Sequence, residues 1–308
     1  MTLPLTTIMW VMAVIATAFG SSIAHAKQPR VAIVIDDIGF QWNLDHRALA
    51  LDGPVALAII PEGPHARYLS EQAAKDHREI WAHLPMAGLH SDNCEAGLTC
   101  LEASWSQTTM HDYLVEQLAQ VPGAIGINNH QGSQFTGDAQ AVGRLVAAIA
   151  LLNQTRSQPL IVMDSRTVVS SHLERLARDK GLATLRRRVF LDHDKGAEAL
   201  IQNWRKLIKL AHQHGEAIAI GHPREATLSF LETAIGELQA ERIELVPPSA
   251  LVRPSRNADR LTCHRCSPPV DPAAVPSSNR STGIWSSRSP EPQRRAASSR
   301  SECQCQSP

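Results

Sequence analysis

The stretch GAIGINNHQGSQFTG, residues 123–137, runs from small and apolar residues into Asn128, Asn129, His130 and Gln131, then into small polar ones. An apolar run that ends in hydrogen-bonding groups reads as a buried strand whose C-terminal end opens into a site. Ser133 and Thr136 follow at positions expected to cap a helix. Strand into site into helix is half of a β/α unit, and the flanking sequence repeats it.

Upstream lie VAIVID (31–36), VALAII (55–60) and EIWAHLP (79–85); downstream lie PLIVMDS (159–165), RRVFLD (187–192), EAIAIGHP (216–223) and RIELVP (242–247). Helix-like segments at 43–51, 65–77, 108–120, 138–153, 170–180, 196–214 and 225–239 separate them, with Thr108, Asp138 and Ser170 as candidate caps. Continuous apolar strands alternating with helices predict an α/β fold with a parallel sheet covered by helices. Seven or eight such units over residues 27–252 suit a barrel better than an open sheet of two halves. No glycine-rich phosphate loop follows any strand, which argues against a nucleotide-binding sheet.

The chain has 308 residues, 43% hydrophobic, 19% charged, with a formal net charge of zero. A nucleic-acid binder would show a basic surplus, so nucleic acid is not an expected partner. At the N-terminus, an apolar run from Ile8 to about Phe19 precedes Ala24-His25-Ala26. That order predicts a signal peptide over 1–26, export to the periplasm and no stable membrane span afterwards, although the usual positive start is missing. Cys94 and Cys100 bracket a short loop and are spaced to close a local disulfide. Residues 253–308 turn to Ser, Pro and Arg and read as a disordered tail, with CHRC (263–266) and CQC (303–305) lacking any apolar framework for a zinc knuckle.

Position links the polar residues. The strands end in Asp36-Asp37, His83, Asn129-His130, Asp164, Asp192 and His222. In a parallel barrel all C-terminal strand ends open on one face, where catalysis is built. Each residue alone has an ordinary explanation: a turn for the aspartates, a core position for His83, helix starts for His130 and His222. Their recurrence on one face predicts a single convergent site. Imidazoles with one carboxylate bind zinc or a similar divalent ion, a second carboxylate serves as base, and a separate histidine serves as acid. Amide or ester hydrolysis fits these parts, with no organic cofactor.

VAIVIDDIG, HLPM, NNHQGSQFT, MDSRT, VFLD and IGHP, in this order, resemble the divergent polysaccharide deacetylase family over roughly residues 30–252. The resemblance implies a distorted (β/α) barrel, a divalent metal, usually zinc, and a polysaccharide or peptidoglycan-type substrate. It implies Asp36 as catalytic base, Asp37 and His130 as metal ligands and His222 as general acid. The related deacetylases place a second histidine four residues after the first, where this chain has Gln134. His83 on a neighbouring strand is expected to supply the missing imidazole. Asn128 or Asn129 is expected to orient the ligands, and Asp164 or Asp192 to orient His222 or add a ligand. The alternative is an inactive barrel that binds carbohydrate or acts as a scaffold in the periplasm; Trp42, Trp81, Trp105 and Trp204 are the candidate platform residues, of which Trp81 and Trp204 sit within expected elements and read as core.

Overall fold

Apolar runs without polar alternation must be covered on both faces, and the structure covers them with helices outside and packed side chains inside. The computed structural model describes residues 28–253 apart from 90–93, 95, 96 and 195. The expected leader over 1–26, the segment after Arg253 and its cysteine pairs lie outside the described residues.

The chain runs β1 (Arg30–Ile38), α1 (Trp42–Leu49), β2 (Ala56–Ile59), α2 (Ala66–Lys75), β3 (Ile80–Met86), α3 (Gln107–Gln120), β4 (Gly126–Gln131) and the short α4 (Ser133–Gly137). It continues with α5 (Ala139–Asn153), β5 (Ile161–Asp164), α6 (Leu173–Asp179), β6 (Thr184–Arg186) and β7 (Val189–Phe190). Then come α7 (Ala197–His214), β8 (Glu216–Gly221), α8 (Glu225–Glu237), β9 (Glu244–Leu245) and a 3-10 turn, Pro248–Leu251. The sheet order is β6-β5-β4-β3-β2-β1-β8-β7, and every pairing between these strands is parallel.

The sheet is a curled barrel with a seam. β6 bonds β5 and β7 bonds β8, while consecutive residues cross the gap: Arg187 N–H donates to Asp164 O and Arg188 N–H to Ile218 O. The barrel expectation holds. The run at 187–192 is only the two-residue β7, and β6 precedes it unannounced. The run at 242–247 becomes β9, off the main path and pairing Arg30 and Val31 at the start of β1.

Strand residues alternate between two cores. Val31, Ile33, Ile35, Leu57, Ile127 and Val162 face the helices. Ala32, Val34, Ala58, Trp81, Met163, Ile218 and Ile220 fill the enclosed side, with Val246 and Leu251 of the last segment packed among them. The final residues therefore seat at the N-terminal end of the barrel, opposite the strand ends that carry the site. There Ser249 donates to Glu79 through both its backbone N–H and its hydroxyl, and Arg253 pairs with Glu216 at 2.9 Å.

Capping differs from the sequence expectation at most positions. Ser106, not Thr108, caps α3 by accepting Thr109 N–H, and Ser170 caps nothing because α6 starts later, at Leu173. Ser133 instead accepts Leu89 N–H and Thr136 bonds back to Gly132 O, so neither caps α4. Asp138 does cap α5, accepting Ala141 N–H at 3.0 Å and Gln140 N–H at 2.8 Å. These two bonds hold its carboxyl below the usual carboxylate range. Its contribution is therefore complete above the unfolded pKa and is lost as pH falls through the lower folded value. Asp138→Ala is expected to destabilise the protein by about 1 kcal/mol at neutral pH, with the difference from native vanishing in strong acid. Urea melts at several pH values check this.

Candidate active site

The enclosed side of the barrel is apolar until its top, where period-2 alternation brings Asp36, His83, Asn128, His130 and His222 to the same face. Register fixes two of them: His83 lies opposite Asn128 and Pro85 opposite His130 across the β3–β4 pair. After Asp36 the chain turns sharply, Asp37 adopting φ 60°, a left-handed conformation that costs a non-glycine residue energy. Gln131 and Arg166, at the ends of β4 and β5, do the same at 54° and 52°. Backbone strain thus collects at the strand ends around the site.

Asp37 is the hub. Its Oδ1 lies 2.7 Å from His130 Nδ1 and 3.1 Å from His83 Nε2, and these two nitrogens are 3.3 Å apart. One ligand atom from each of Asp37, His83 and His130 falls within 4.8 Å of the others, so the three residues form a possible metal-binding group. Asn128 Oδ1 sits 2.8 Å from His83 Nδ1 and can only accept there, which places the proton on Nδ1. The Nε2 lone pair of a neutral His83 then faces a carboxylate oxygen and a second imidazole. Electron pairs crowded this closely need positive charge between them, either protons or a cation. Without a cation, burial opposes charging His83, but the charge of Asp36 and the hydrogen bond to Asp37 override it and lift its pKa to about 9. Burial likewise pushes Asp37 up, and the bonds from His130 and His83 outweigh it, holding the carboxyl well below the usual range. This donor set fits a divalent ion.

Asp36 lies beneath the hub, buried, its Oδ1 accepting Asn128 Nδ2–H at 2.9 Å and its Oδ2 3.6 Å from His83 Nε2. Burial raises its pKa against the opposing charges of His83 and His222. On another side stands His222, just past β8. Asp192 holds it twice, accepting the backbone N–H at 2.9 Å and lying 2.7 Å from Nδ1, while Thr227 donates to the same carboxylate at 2.8 Å. Although burial disfavours charge on both members, their mutual hydrogen bond raises His222 and lowers Asp192. Nε2 of His222 is left 3.7 Å from Asp37 Oδ2. The imidazole stacks on Phe190 at 5.3 Å and 16°, and the Arg187 guanidinium covers that ring at 4.1 Å.

Five expected site residues, Asp36, Asp37, His83, His130 and His222, come together, and Asp192 stands behind His222. Asn129 and Asp164 do not join them. Asn129 faces away, accepting Ser165 N–H at 2.8 Å and donating to Gln131 O, so Asn128 is the asparagine that contacts His83 and Asp36. Asp164 also points to the helix side, where it holds Arg166 N–H, Ser171 Oγ and Glu174 N–H and shapes the loop into α6. Gln134 is exposed on α4, outside the ligand group. Of the two asparagines left open by the sequence, Asn128 is the one used; Phe190 and Arg187 were missed. Asn128 sits two residues before His130, a spacing that alone puts it on the same strand face; Phe190 ends the short β7 and Arg187 lies between β6 and β7 at the seam, and neither carried a signal.

The loop after β3 borders this end of the barrel. Cys94 and Cys100 are joined in it by a disulfide, as their spacing suggested, with Cα atoms 5.5 Å apart. Among the described residues no helix is long and apolar enough to cross a membrane.

Known proteins share the chain's sequence and shape. An uncharacterized protein of Haemophilus influenzae is 34% identical over 233 residues, 76% of this chain and 80% of that one. The uncharacterized protein YibQ of Escherichia coli K12 is 31% identical over 223 residues, 72% of this chain and 67% of that one. The crystal structure of an uncharacterized protein from Agrobacterium tumefaciens C58 matches with a TM-score of 0.67 at 20% identity, covering 74% of this chain and 91% of that one. That match shows a shared fold. The model describing divergent polysaccharide deacetylases fits residues 33–252, from within β1 to the end of the barrel. A match that takes in nearly all of the barrel and every residue of its polar upper end makes this chain a member of the divergent polysaccharide deacetylase family.

Proposed function

We propose that the protein is a metal-dependent hydrolase that removes acetyl groups from cell-envelope or extracellular polysaccharide. The observation that carries this reading is the convergence of Asp37, His83 and His130 on one point, with a second carboxylate and a carboxylate-held histidine beside them. Asp37, His83 and His130 would hold a divalent ion, zinc being well suited to two imidazoles and one carboxylate. When bound, such an ion supplies a water acidic enough to be deprotonated near neutral pH and polarises an acyl oxygen.

The remaining steps belong to the side chains. Asp36 accepts the proton of the attacking water; its raised pKa brings it closer to the pH at which a base must work. His222, whose pKa the Asp192 hydrogen bond raises, donates from Nε2 to the departing nitrogen or oxygen of the sugar as the bond to the acyl carbon breaks. Acetate and a free amine or hydroxyl leave, the proton on Asp36 returns to solvent, and His222 takes one up again. Asn128 ties the two halves, donating to Asp36 and holding the His83 tautomer. The disulfide supports an oxidising compartment and hence export to the periplasm, in keeping with the leader expected over 1–26.

Zinc titration of the stripped full-length chain is the test. The native protein is expected to bind about one equivalent, and Asp37→Ala, His83→Ala and His130→Ala each to lose it. Loss with His130→Ala but not with His83→Ala would replace the third ligand. A folded native chain that takes up no divalent ion would overturn the metalloenzyme and favour the inactive carbohydrate-binding barrel.

A further inference from the structure

Aromatic residues make up 4% of the chain, and most of those described are buried or only partly exposed. The exposed ones among the described residues are Phe40, Trp42 and Tyr68, at 46%, 45% and 43%. All three lie where β1 and β2 pass into their helices, on the face of the barrel that carries Asp36 and Asp37. Trp42 opens α1, and Tyr68 lies in the first turn of α2. Their rings stack at 5.1 Å and 28°, and His65 meets Trp42 edge-on at 5.0 Å.

This corner is built rigidly. His65 N–H donates to Gly39 O, and Ile60 N–H to Ile38 O. A side chain on Gly63 would place its Cβ 2.8 Å from Gly39 O, so the two loops touch backbone to backbone. Asp45, wholly buried, accepts the N–H groups of Gly39 and Gln41 at 3.1 and 3.0 Å and clamps the link between Asp37 and Trp42. Large aromatic rings held open to water, in fixed orientation and beside a polar site, mark a binding surface.

We propose that Trp42 and Tyr68 form a stacking subsite for a pyranose ring of the polysaccharide, other than the ring that reacts. A pyranose presents an apolar C–H face to such a surface and hydroxyls at its edge, where His65 and Gln41 supply polar partners. Continuity with the Asp-Asp loop commits the surface to the same glycan chain. The proposal rests on the deacetylase reading for its ligand class, and its test separates the two.

Chitin oligosaccharides of increasing length are titrated into the full-length, zinc-supplied chain by calorimetry. Affinity is expected to rise with length in the native protein. Trp42→Ala and Tyr68→Ala should each weaken the longer oligomers about ten-fold, Trp42→Phe should retain most of the gain, and zinc stoichiometry should not change. Equal affinity of native and Trp42→Ala protein at every length would overturn the subsite and leave the deacetylase reading untouched. Failure of the native chain to bind any length would overturn it too. Length-dependent binding that needs Trp42 in a chain without zinc uptake or acetyl release would support the subsite while removing the enzyme.

Discussion

Asp36→Asn is expected to lower acetyl release by about 10²–10⁴-fold while zinc uptake stays near one equivalent. The substitution keeps an oxygen that can accept from Asn128 Nδ2–H and preserves the volume of a buried position. What it removes is the ability to take a proton. Asp37, not Asp36, carries the hub contacts to His83 and His130, so ligand geometry should survive. Stability should hold or rise, because burial disfavours the Asp36 charge in the folded state. The assay is acetate release from an acetylated glycan alongside a metal count and a urea melt. Undiminished turnover would move the base to another residue; loss of zinc together with activity would make Asp36 a ligand.

Gly126→Ala is expected to cost about 3 kcal/mol of stability or more. The added Cβ would lie 2.4 and 2.7 Å from two atoms of the Trp81 ring and 2.6 Å from Ile161 O. Trp81 is fully buried on the enclosed side, and the carbonyl belongs to the next strand of the sheet. β4 must shift, and Asn128 and His130 shift with it. Zinc affinity should therefore fall along with stability. Gly143→Ala is the control: it lies on the exposed face of α5 with nothing within 4 Å of the new Cβ, and should stabilise by up to about 1 kcal/mol. Guanidinium melts of both variants decide it, and a Gly126→Ala chain as stable as native would show that the Trp81 ring yields.

Most of the strands and the convergence at their ends were legible because a parallel sheet leaves two signals, uninterrupted apolar runs and polar residues where each run stops. Parity was not legible at a glance. Strands buried on both faces show no polar alternation, so Asn129 and Asp164 looked as well placed as Asn128 and Asp36. Counting by twos from Asp36, His83, His130 and His222 separates them afterwards: Asn128 faces inward with His130, whereas Asp164 shares the helix face with Val162. β6, β7 and β9 span only a few residues each, too few for any period to show. Helix caps failed for a different reason: hydroxyls near a helix start had tertiary partners, such as Leu89 N–H for Ser133, that sequence does not reveal.

The position of β1 sets the order in which this chain can fold. It is bonded on one side by β2, its immediate successor, and on the other by β8, with Arg30 and Glu216 paired across 186 residues. The start of β1 then waits for β9, later still. A ribosome releases the chain from its first residue, so an early strand rich in Val, Ile and Ala emerges with half its backbone groups lacking their final partners. Closing so long a loop is entropically slow, and the helices that follow can form locally before it happens. The chain must have emerged past β8 and β9 before the barrel interior can close, which makes closure a late event and leaves the growing chain open to whatever machinery meets it first.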